Sequence, residues 1–226
     1  MNLPSLARNS RITLLIVLVG SIVGWGCGIP VTVYTVHDKT VRDKYLPAAK
    51  KNDAIAQLQL ALAYRFGTAG ADKDPAQAWQ WLNRAADNGL LEAQLMLGDA
   101  LVSGSWGQPK DIEAGLQMLR TAAQSGRRDV QEHLGMTLLD LGQEHAAEAA
   151  QWFEKAARAC NRHAAMQLGL LYQRGLGVPQ YRPLAHAWFM VADAAINLQL
   201  LEHDMNADEL SQARRQVVPT CKESAQ

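Results

Sequence analysis

Hydrophobic and small residues after position 52 recur at a spacing that predicts α-helices. In the stretch AIAQLQLALAY, Ala56, Leu60, Ala61 and Tyr64 lie at i, i+4, i+5 and i+8, which is one face of a helix. The same face recurs in the stretches LEAQLMLGDAL from Leu91, RDVQEHLGMTL from Arg128 and RHAAMQLGLLY from Arg162. This repetition indicates a chain built from similar helical units.

An alanine pair gives the period of these units. The pairs lie at 48–49, 85–86, 122–123 and 156–157, so successive units are offset by 37, 37 and 34 residues. The same three offsets separate the small residues Ala61, Gly98, Gly135 and Gly169. Two landmarks with one period predict a solenoid of helix pairs rather than one globular core.

A column of large residues marks the second helix of each unit. Each member precedes the first alanine of the pair by four residues, and the members are Trp81, Met118, Trp152 and Trp188. Large apolar side chains at one repeated helical position are typical of a packed core, so we interpret them as core residues rather than cofactor contacts.

The sequence GLGVP in the last unit has the composition of a phosphate-binding loop. A dinucleotide fingerprint requires a preceding strand, and a P-loop ends in Gly-Lys-Ser/Thr. Here a predicted helix precedes Gly175, and no Gly-Lys-Ser/Thr follows Gly177. We therefore predict a helix–helix turn, like the glycine- and proline-containing turns after Phe66 and Val102.

Residues 12–36 carry no formal charge, and a bilayer core of ~30 Å needs about 20 apolar residues of helix. We predict a transmembrane anchor here, after an N-terminal tail at 1–11. The sequence VGWGC leaves a second interpretation, a lipoprotein-type signal with Cys27 as the lipidated residue. The short basic tail favours export of the C-terminal domain, whereas the lysines and arginines that follow the span favour a cytoplasmic domain.

Composition argues against several function classes. Lys+Arg and Asp+Glu both number 22, so no overall field attracts nucleic acid. The six histidines show no paired-ligand spacing, and no serine lies in a G-x-S-x-G elbow. We predict no metal, no cofactor and no catalytic residue.

Cys160 and Cys221 either form a disulfide in an exported domain or remain two unpaired small hydrophobic residues.

The last unit also carries a family resemblance. The run LGLLYQRGLGVPQYRPLAHAWFMVADAA resembles a unit of the Sel-one-like repeat (SLR) family, a relative of the tetratricopeptide repeat. Residues that meet the family pattern are Ala164, Leu168, Gly169, Tyr172, Gly175, Gly177, Val178, Ala185, Trp188 and Ala192. The resemblance implies an all-α fold, a right-handed α/α solenoid of about four helix pairs with capping helices, whose first helices line a concave, partner-binding face.

These patterns divide the chain beyond the anchor into repeats and caps. We expect a capping half repeat at 38–51, four repeats at 52–88, 89–125, 126–160 and 161–200, a C-terminal capping helix at 205–218, and a tail at 219–226.

The candidate partner-binding residues lie between the core positions of the first helices. They are Leu58, Gln59, Leu62, Leu95, Met96, Asp99, His133, Met136, Met166 and Leu170. A peptide or helix of a protein partner is the natural ligand of such a groove. Leu58, Leu95 and Met166 have the alternative role of completing the packing between helices, while Asp99 argues against full burial of the row that contains Leu62.

The expected function is that of a membrane-tethered, non-enzymatic adaptor in the assembly of a bacterial envelope complex, such as secretion, pilus or polysaccharide machinery. The expected location is the inner membrane with the solenoid in the periplasm, or else an outer-membrane lipoprotein or a cytoplasm-facing signalling scaffold. Cysteine-rich relatives suggest a cell-wall or β-lactam-acting enzyme as an alternative, but they carry a cysteine pair in each unit, and here only Cys160 lies within a repeat.

Overall fold

The computed structural model describes residues 41–68, 71–219 and 221, and this part of the chain contains α-helices and no β-strand. The helices are α1 (Val41–Ala49), α2 (Ala54–Phe66), α3 (Pro75–Asp87), α4 (Leu91–Ser103), α5 (Ile112–Ala123), α6 (Arg128–Leu141), α7 (Ala146–Arg158), α8 (Arg162–Arg174), α9 (Arg182–Ala192), α10 (Ala195–Asp204) and α11 (Ala207–Ala213). None of these described helices is long and apolar enough to cross a membrane. The predicted anchor at 12–36, which includes Cys27, lies outside the described residues.

The helices pack as pairs in chain order. α2 packs with α3, α4 with α5, α6 with α7 and α8 with α9, and each second helix also contacts the first helix of the next unit. α1 packs against α2 at the N-terminal end of the described array. The all-helical solenoid predicted from the repeated helical face is therefore confirmed.

Polar side chains fix where several helices begin. Asp53, Asp74, Asp111 and Asn161 each accept a hydrogen bond from the backbone N–H three residues further on. Such N-caps satisfy a backbone donor that the first helical turn leaves unpaired. The same chemistry therefore marks the starts of two first helices, α2 and α8, and of two second helices, α3 and α5.

The small residue of each first helix packs directly on a large residue of its second helix. A Cβ atom on Gly98 would lie 2.7 Å from Cγ of Leu119, and one on Gly135 would lie 2.7 Å from Cε1 of Phe153. In both units the helices approach more closely than a methyl group would allow. The small residues at the predicted period thus set the spacing inside each helix pair.

The residues that fill these contacts follow the predicted tryptophan column by one position. Leu82, Leu119, Phe153 and Phe189 are all fully buried. In the column itself Trp81 and Trp188 are buried, whereas Met118 and Trp152 are only half-buried. The column is therefore partly core and partly the edge of the core.

Glutamines join α1 to α2, α3 to α4 and α5 to α6, a feature that the sequence analysis did not predict; Gln57 and Gln131 are buried and Gln94 is half-buried. Each side-chain amide donates a hydrogen bond to the carbonyl oxygen of the second alanine in the preceding pair. The bonds are Gln57 to Ala49 at 3.0 Å, Gln94 to Ala86 at 3.2 Å and Gln131 to Ala123 at 3.5 Å. Each of these carbonyls at a helix end also accepts a backbone N–H from the turn that follows, so the glutamine adds a second hydrogen bond to it.

The C-terminal end of the array is a first helix without a full partner. α10 begins 33 residues after α8, and its buried residues Leu201 and Met205 stand where Leu168 and Tyr172 stand in α8. The small residue of the row is replaced by Glu202. The short α11 packs against α9 and lies within 205–218, where the sequence predicted one capping helix, whereas α10 precedes that region.

Candidate protein-binding face

Nine of the ten predicted partner-binding residues are half-buried on the first helices. We call the exposed side-chain rows of α2, α4, α6, α8 and α10 the first-helix face. The exception is Leu95, which is 4% exposed and belongs to the hydrophobic core. Its burial matches the packing alternative, because so little of its surface remains for a partner.

Two polar contacts join neighbouring first helices across this face. Nε2 of His133 on α6 lies 2.8 Å from a carboxylate oxygen of Asp99 on α4. Nδ1 of His163 on α8 bonds to the carboxylate of Glu132 on α6, which also accepts a hydrogen bond from the Asn161 amide. The structure thus pairs each of these two histidines with a carboxylate on the preceding first helix.

Glu132 is a functional candidate that the sequence analysis did not include. It is 6% exposed, although it carries a charge, and buried carboxylates require hydrogen-bonding partners. Its partners His163 and Asn161 supply that compensation. The sequence did contain a signal for this site, because Glu132 occupies a repeat position where the other units carry Leu58, Leu95 and Met166.

The middle of the first-helix face is acidic. Glu92 on α4 and Asp129 on α6 share a single cation, Arg127, at the start of α6. Asp140 is exposed near the end of α6. Together with Asp99, these residues place a net negative charge on α4 and α6 while the His133 ring is neutral.

This environment changes the protonation of His133. Burial of the ring lowers its pKa, but the hydrogen bond with Asp99 and the charges of Asp99, Glu132 and Asp140 raise it by more. The pKa of His133 therefore stands above its ordinary value. The positive form of the ring partly neutralises the acidic middle of the face.

Apolar side chains occupy both ends of the face. Ile55 and Phe66 on α2 are exposed at the N-terminal end. Ile196 and Leu200 on α10 are 75% and 63% exposed at the C-terminal end. The sequence analysis did not assign α10 to the repeated first helices, and for that reason it missed the second pair.

The described residues offer little for covalent or metal chemistry. No group of three or more His, Cys, Asp or Glu side chains in this part of the chain could hold a metal ion. Ser103 donates its hydroxyl proton to the backbone carbonyl of Asp99. The arrangement is suited to recognition by hydrogen bonds, charge and apolar contact.

A disulfide joins Cys160 to Cys221 in the structure. Cys160 has a positive φ of 62° and follows the second alanine of its pair by three residues, as Gly89 and Gly126 do in earlier units. Glycine adopts this left-handed conformation without strain. The cysteine replaces the residue type that best fits the turn, and its side chain holds the C-terminal segment against the third unit.

The chain resembles known proteins throughout its repeats. A family model described as the Sel1 repeat matches residues 54–90, 91–126, 140–159 and 162–189, together just over half of the 226 residues. No curated protein sequence matches the chain.

Two solved structures are similar in fold and sequence. One is c5321, a protective antigen present in uropathogenic Escherichia coli strains that displays an SLR fold, with 30% identity and a TM-score of 0.57. The other is a Sel1 repeat protein from Oxalobacter formigenes, with 29% identity and a TM-score of 0.62. The matches cover 76% and 80% of this chain but only 38% and 54% of those proteins.

Three of the segments matched by the family model contain α2 and α3, α4 and α5, and α8 with most of α9, whereas the segment 140–159 contains α7 and only the last two residues of α6. Proteins built from these repeats generally mediate protein–protein interactions, and the fold is generally non-enzymatic. The repeated helix pairs, the family model and the two solved structures agree, and the chain belongs to the Sel1 repeat family.

Proposed function

We propose that this protein is a non-enzymatic adaptor that binds a segment of another protein on its first-helix face. One observation carries the proposal: half-buried apolar and polar side chains recur at equivalent positions of four successive first helices, and side-chain contacts join α4 to α6 and α6 to α8. Half-exposed leucines and methionines, as at Leu62, Met136 and Leu170, gain free energy when a partner covers them.

A membrane tether at 12–36 is the second part of the proposal. Its support is the uncharged stretch itself, which has the length of a membrane-spanning helix. Lipidation of Cys27 provides an alternative tether to the outer membrane. In either case the solenoid would act close to a membrane surface.

The Cys160–Cys221 disulfide supports a periplasmic solenoid. Disulfides persist in oxidising compartments and are rare in the cytosol. The similar Escherichia coli protein is described as a protective antigen, a property that favours exposure outside the cytoplasm. We therefore place the adaptor at the inner membrane, in assembly of an envelope complex, with a cytoplasm-facing scaffold as the alternative.

Crosslinking in intact cells tests the adaptor role. The full chain would carry Leu62→Glu and Leu170→Glu together, and its crosslinked products would be compared with those of the wild type by mass spectrometry. Met190→Glu is the matched control, because Met190 is 61% exposed on the second helix α9. A partner that is lost with the first variant and kept with the control supports the proposal. A partner that both variants retain places the binding surface elsewhere.

A topology reporter fused after Gln226 tests the compartment. Activity of a periplasmic reporter and silence of a cytoplasmic one are expected. The opposite pattern would leave an adaptor that faces the cytoplasm and would conflict with a stable disulfide.

A further inference from the structure

The first-helix face is chemically uneven along the array. Its middle, on α4 and α6, contains Glu92, Asp99, Asp129 and Asp140, and we call these four residues the acidic centre. Its C-terminal end, on α8 and α10, contains Met166, Leu170, Ile196 and Leu200, and we call these four the apolar end. The two regions lie on consecutive first helices.

The charge of the acidic centre is only partly balanced within the protein. Arg127 is shared by Glu92 and Asp129, and Asp99 contacts the His133 ring. Arg128 directs its Nη1 away from this surface, to the carbonyls of Ala159 and Cys160 at the end of α7. A cationic side chain placed between α4 and α6 would therefore meet more negative than positive charge.

The flank on α8 has the opposite composition. Arg174 ends α8, and Arg162 at its start lies 3.7 Å from Asp193. No carboxylate belongs to α8, whose face between these ends presents Met166 and Leu170. An acidic side chain of the partner would be attracted by the arginines of α8 and repelled by the carboxylates of α4 and α6. The charges therefore favour one orientation of a bound segment.

Two side chains of the apolar end, Ile196 and Leu200, are strongly exposed although their helix belongs to the packed array. Asp99 on α4 contacts His133 on α6, and Glu132 on α6 contacts His163 on α8. A first helix therefore has one row of side chains that faces the next first helix and another row that faces the preceding one. By repeat position Ile196 and Leu200 correspond to His163 and Gln167, which belong to the row that faces the preceding first helix. Ile196 and Leu200 nevertheless remain 75% and 63% exposed, which leaves apolar area for a partner on this side of α10.

We propose that the first-helix face binds a protein segment that carries a lysine or arginine for the acidic centre and a pair of large apolar side chains for the apolar end. This inference rests on the proposed adaptor function and adds the chemistry of the partner. Adjacent packed helices lie about 10 Å apart, so the two regions are separated by about 20 Å. That distance corresponds to about six residues of an extended segment, or about thirteen of a helix.

The test uses a photoreactive amino acid at Met136, which lies on α6 between the two regions. Full-length protein is crosslinked in intact cells of the organism that makes it, and the attached peptide of the partner is sequenced by mass spectrometry. Asp99→Asn/Asp140→Asn removes two charges from the acidic centre. Asp72→Asn/Asp87→Asn removes the same charge from exposed positions on the α2–α3 turn and the end of α3.

The expected result is an attached segment with a basic residue at the stated separation from two large apolar residues. Its crosslinking yield should fall at least five-fold in Asp99→Asn/Asp140→Asn and less than two-fold in the control. A partner captured equally well by both variants, or attached through an acidic segment, would overturn the inference and leave the adaptor role standing. Absence of any partner at Met136, with capture from a second-helix position such as Met190, would overturn both.

Discussion

Gly169 on α8 and Phe189 on α9 lie so close that a Cβ atom on the glycine would be 2.5 Å from Cε1 of the phenylalanine. The same row carries Ala61 in the first unit, where the opposing residue is Leu82. Gly135 likewise faces Phe153, whereas Gly98 faces Leu119. In these four units a phenylalanine is therefore always combined with a glycine, and the one alanine of the row is combined with the smaller leucine.

Gly169→Ala should destabilise the fold by about 1–3 kcal/mol, because the added methyl group has no room beside the Phe189 ring. Combining it with Phe189→Leu should recover part of that loss, since the double variant recreates the Ala61–Leu82 combination. Urea unfolding of the four proteins in a double-mutant cycle measures this coupling. Strictly additive effects would show that the two residues are not matched in size.

Gln57→Ala should cost about 1–3 kcal/mol, because it removes two hydrogen bonds at a fully buried position and leaves the volume of the side chain unfilled. Gln57 is fully buried, donates to the Ala49 carbonyl at 3.0 Å and accepts from the Asn88 amide at 2.8 Å. The control is Gln59→Ala, a half-buried position on the same helix, for which we expect a change within about 0.5 kcal/mol. Equal losses of stability for the two variants in thermal unfolding would contradict the structural role assigned to Gln57.

The contact between His133 and Asp99 should make stability depend on pH. The pKa of His133 is raised in the folded protein, so its contribution to stability is fully present below the unfolded value of about 6.5. That contribution is lost as the pH rises through the folded pKa. Asp99→Asn should weaken this dependence, because it removes the carboxylate that favours the protonated ring.

The measurement is the free energy of unfolding in urea between about pH 5.5 and 8.5. The difference between wild type and Asp99→Asn should shrink toward the alkaline end. Asp72→Asn, on the exposed α2–α3 turn, should show a difference that is flat across the same range. A difference for Asp99→Asn that grew with pH would reverse the sign argued here.

Loss of the disulfide should destabilise the C-terminal half of the array. Cys160 and Cys221 are separated by 61 residues. A disulfide that closes a loop of that length stabilises the fold by up to about 4 kcal/mol, because it lowers the conformational entropy of the unfolded chain. Cys221→Ser should therefore unfold at lower urea concentration than the wild type without reductant, and match it more closely with reductant. Thiol alkylation of the native protein checks the bond itself, because free reactive thiols at both positions would contradict it.

The repeated helices could be predicted because four copies of one pattern reinforce each other. Leu60 and its counterparts Leu97, Leu134 and Leu168 are all buried, as an amphipathic helix with this spacing requires. The position of α10 was harder to predict. Glu202 interrupts the small-residue row, so the fifth first helix lacks the landmark by which the other four were recognised.

The polar contacts of the site could be predicted only in part. The half-exposed rows on the first helices follow from helical geometry, and nine of ten residues lie as that geometry requires. The bonds from Glu132 to His163 and from Gln57 to Asn88 join residues 31 positions apart. Such pairings depend on the angle between helices, which a single sequence does not specify.

Glu202 also lies where the regular pairing of helices ends among the described residues. If the last first helix carried a small residue at this position, a further second helix could pack closely against it, as in the preceding units. Here a carboxylate occupies that position and bonds to His186 on α9 at 2.7 Å, while the short α11 packs on α9 instead. Substitution of this one side chain by glycine would remove both the charge and the bond to His186 from that position. Among the described residues, the surface offered to a partner thus ends at α10, whose own partner helix is short.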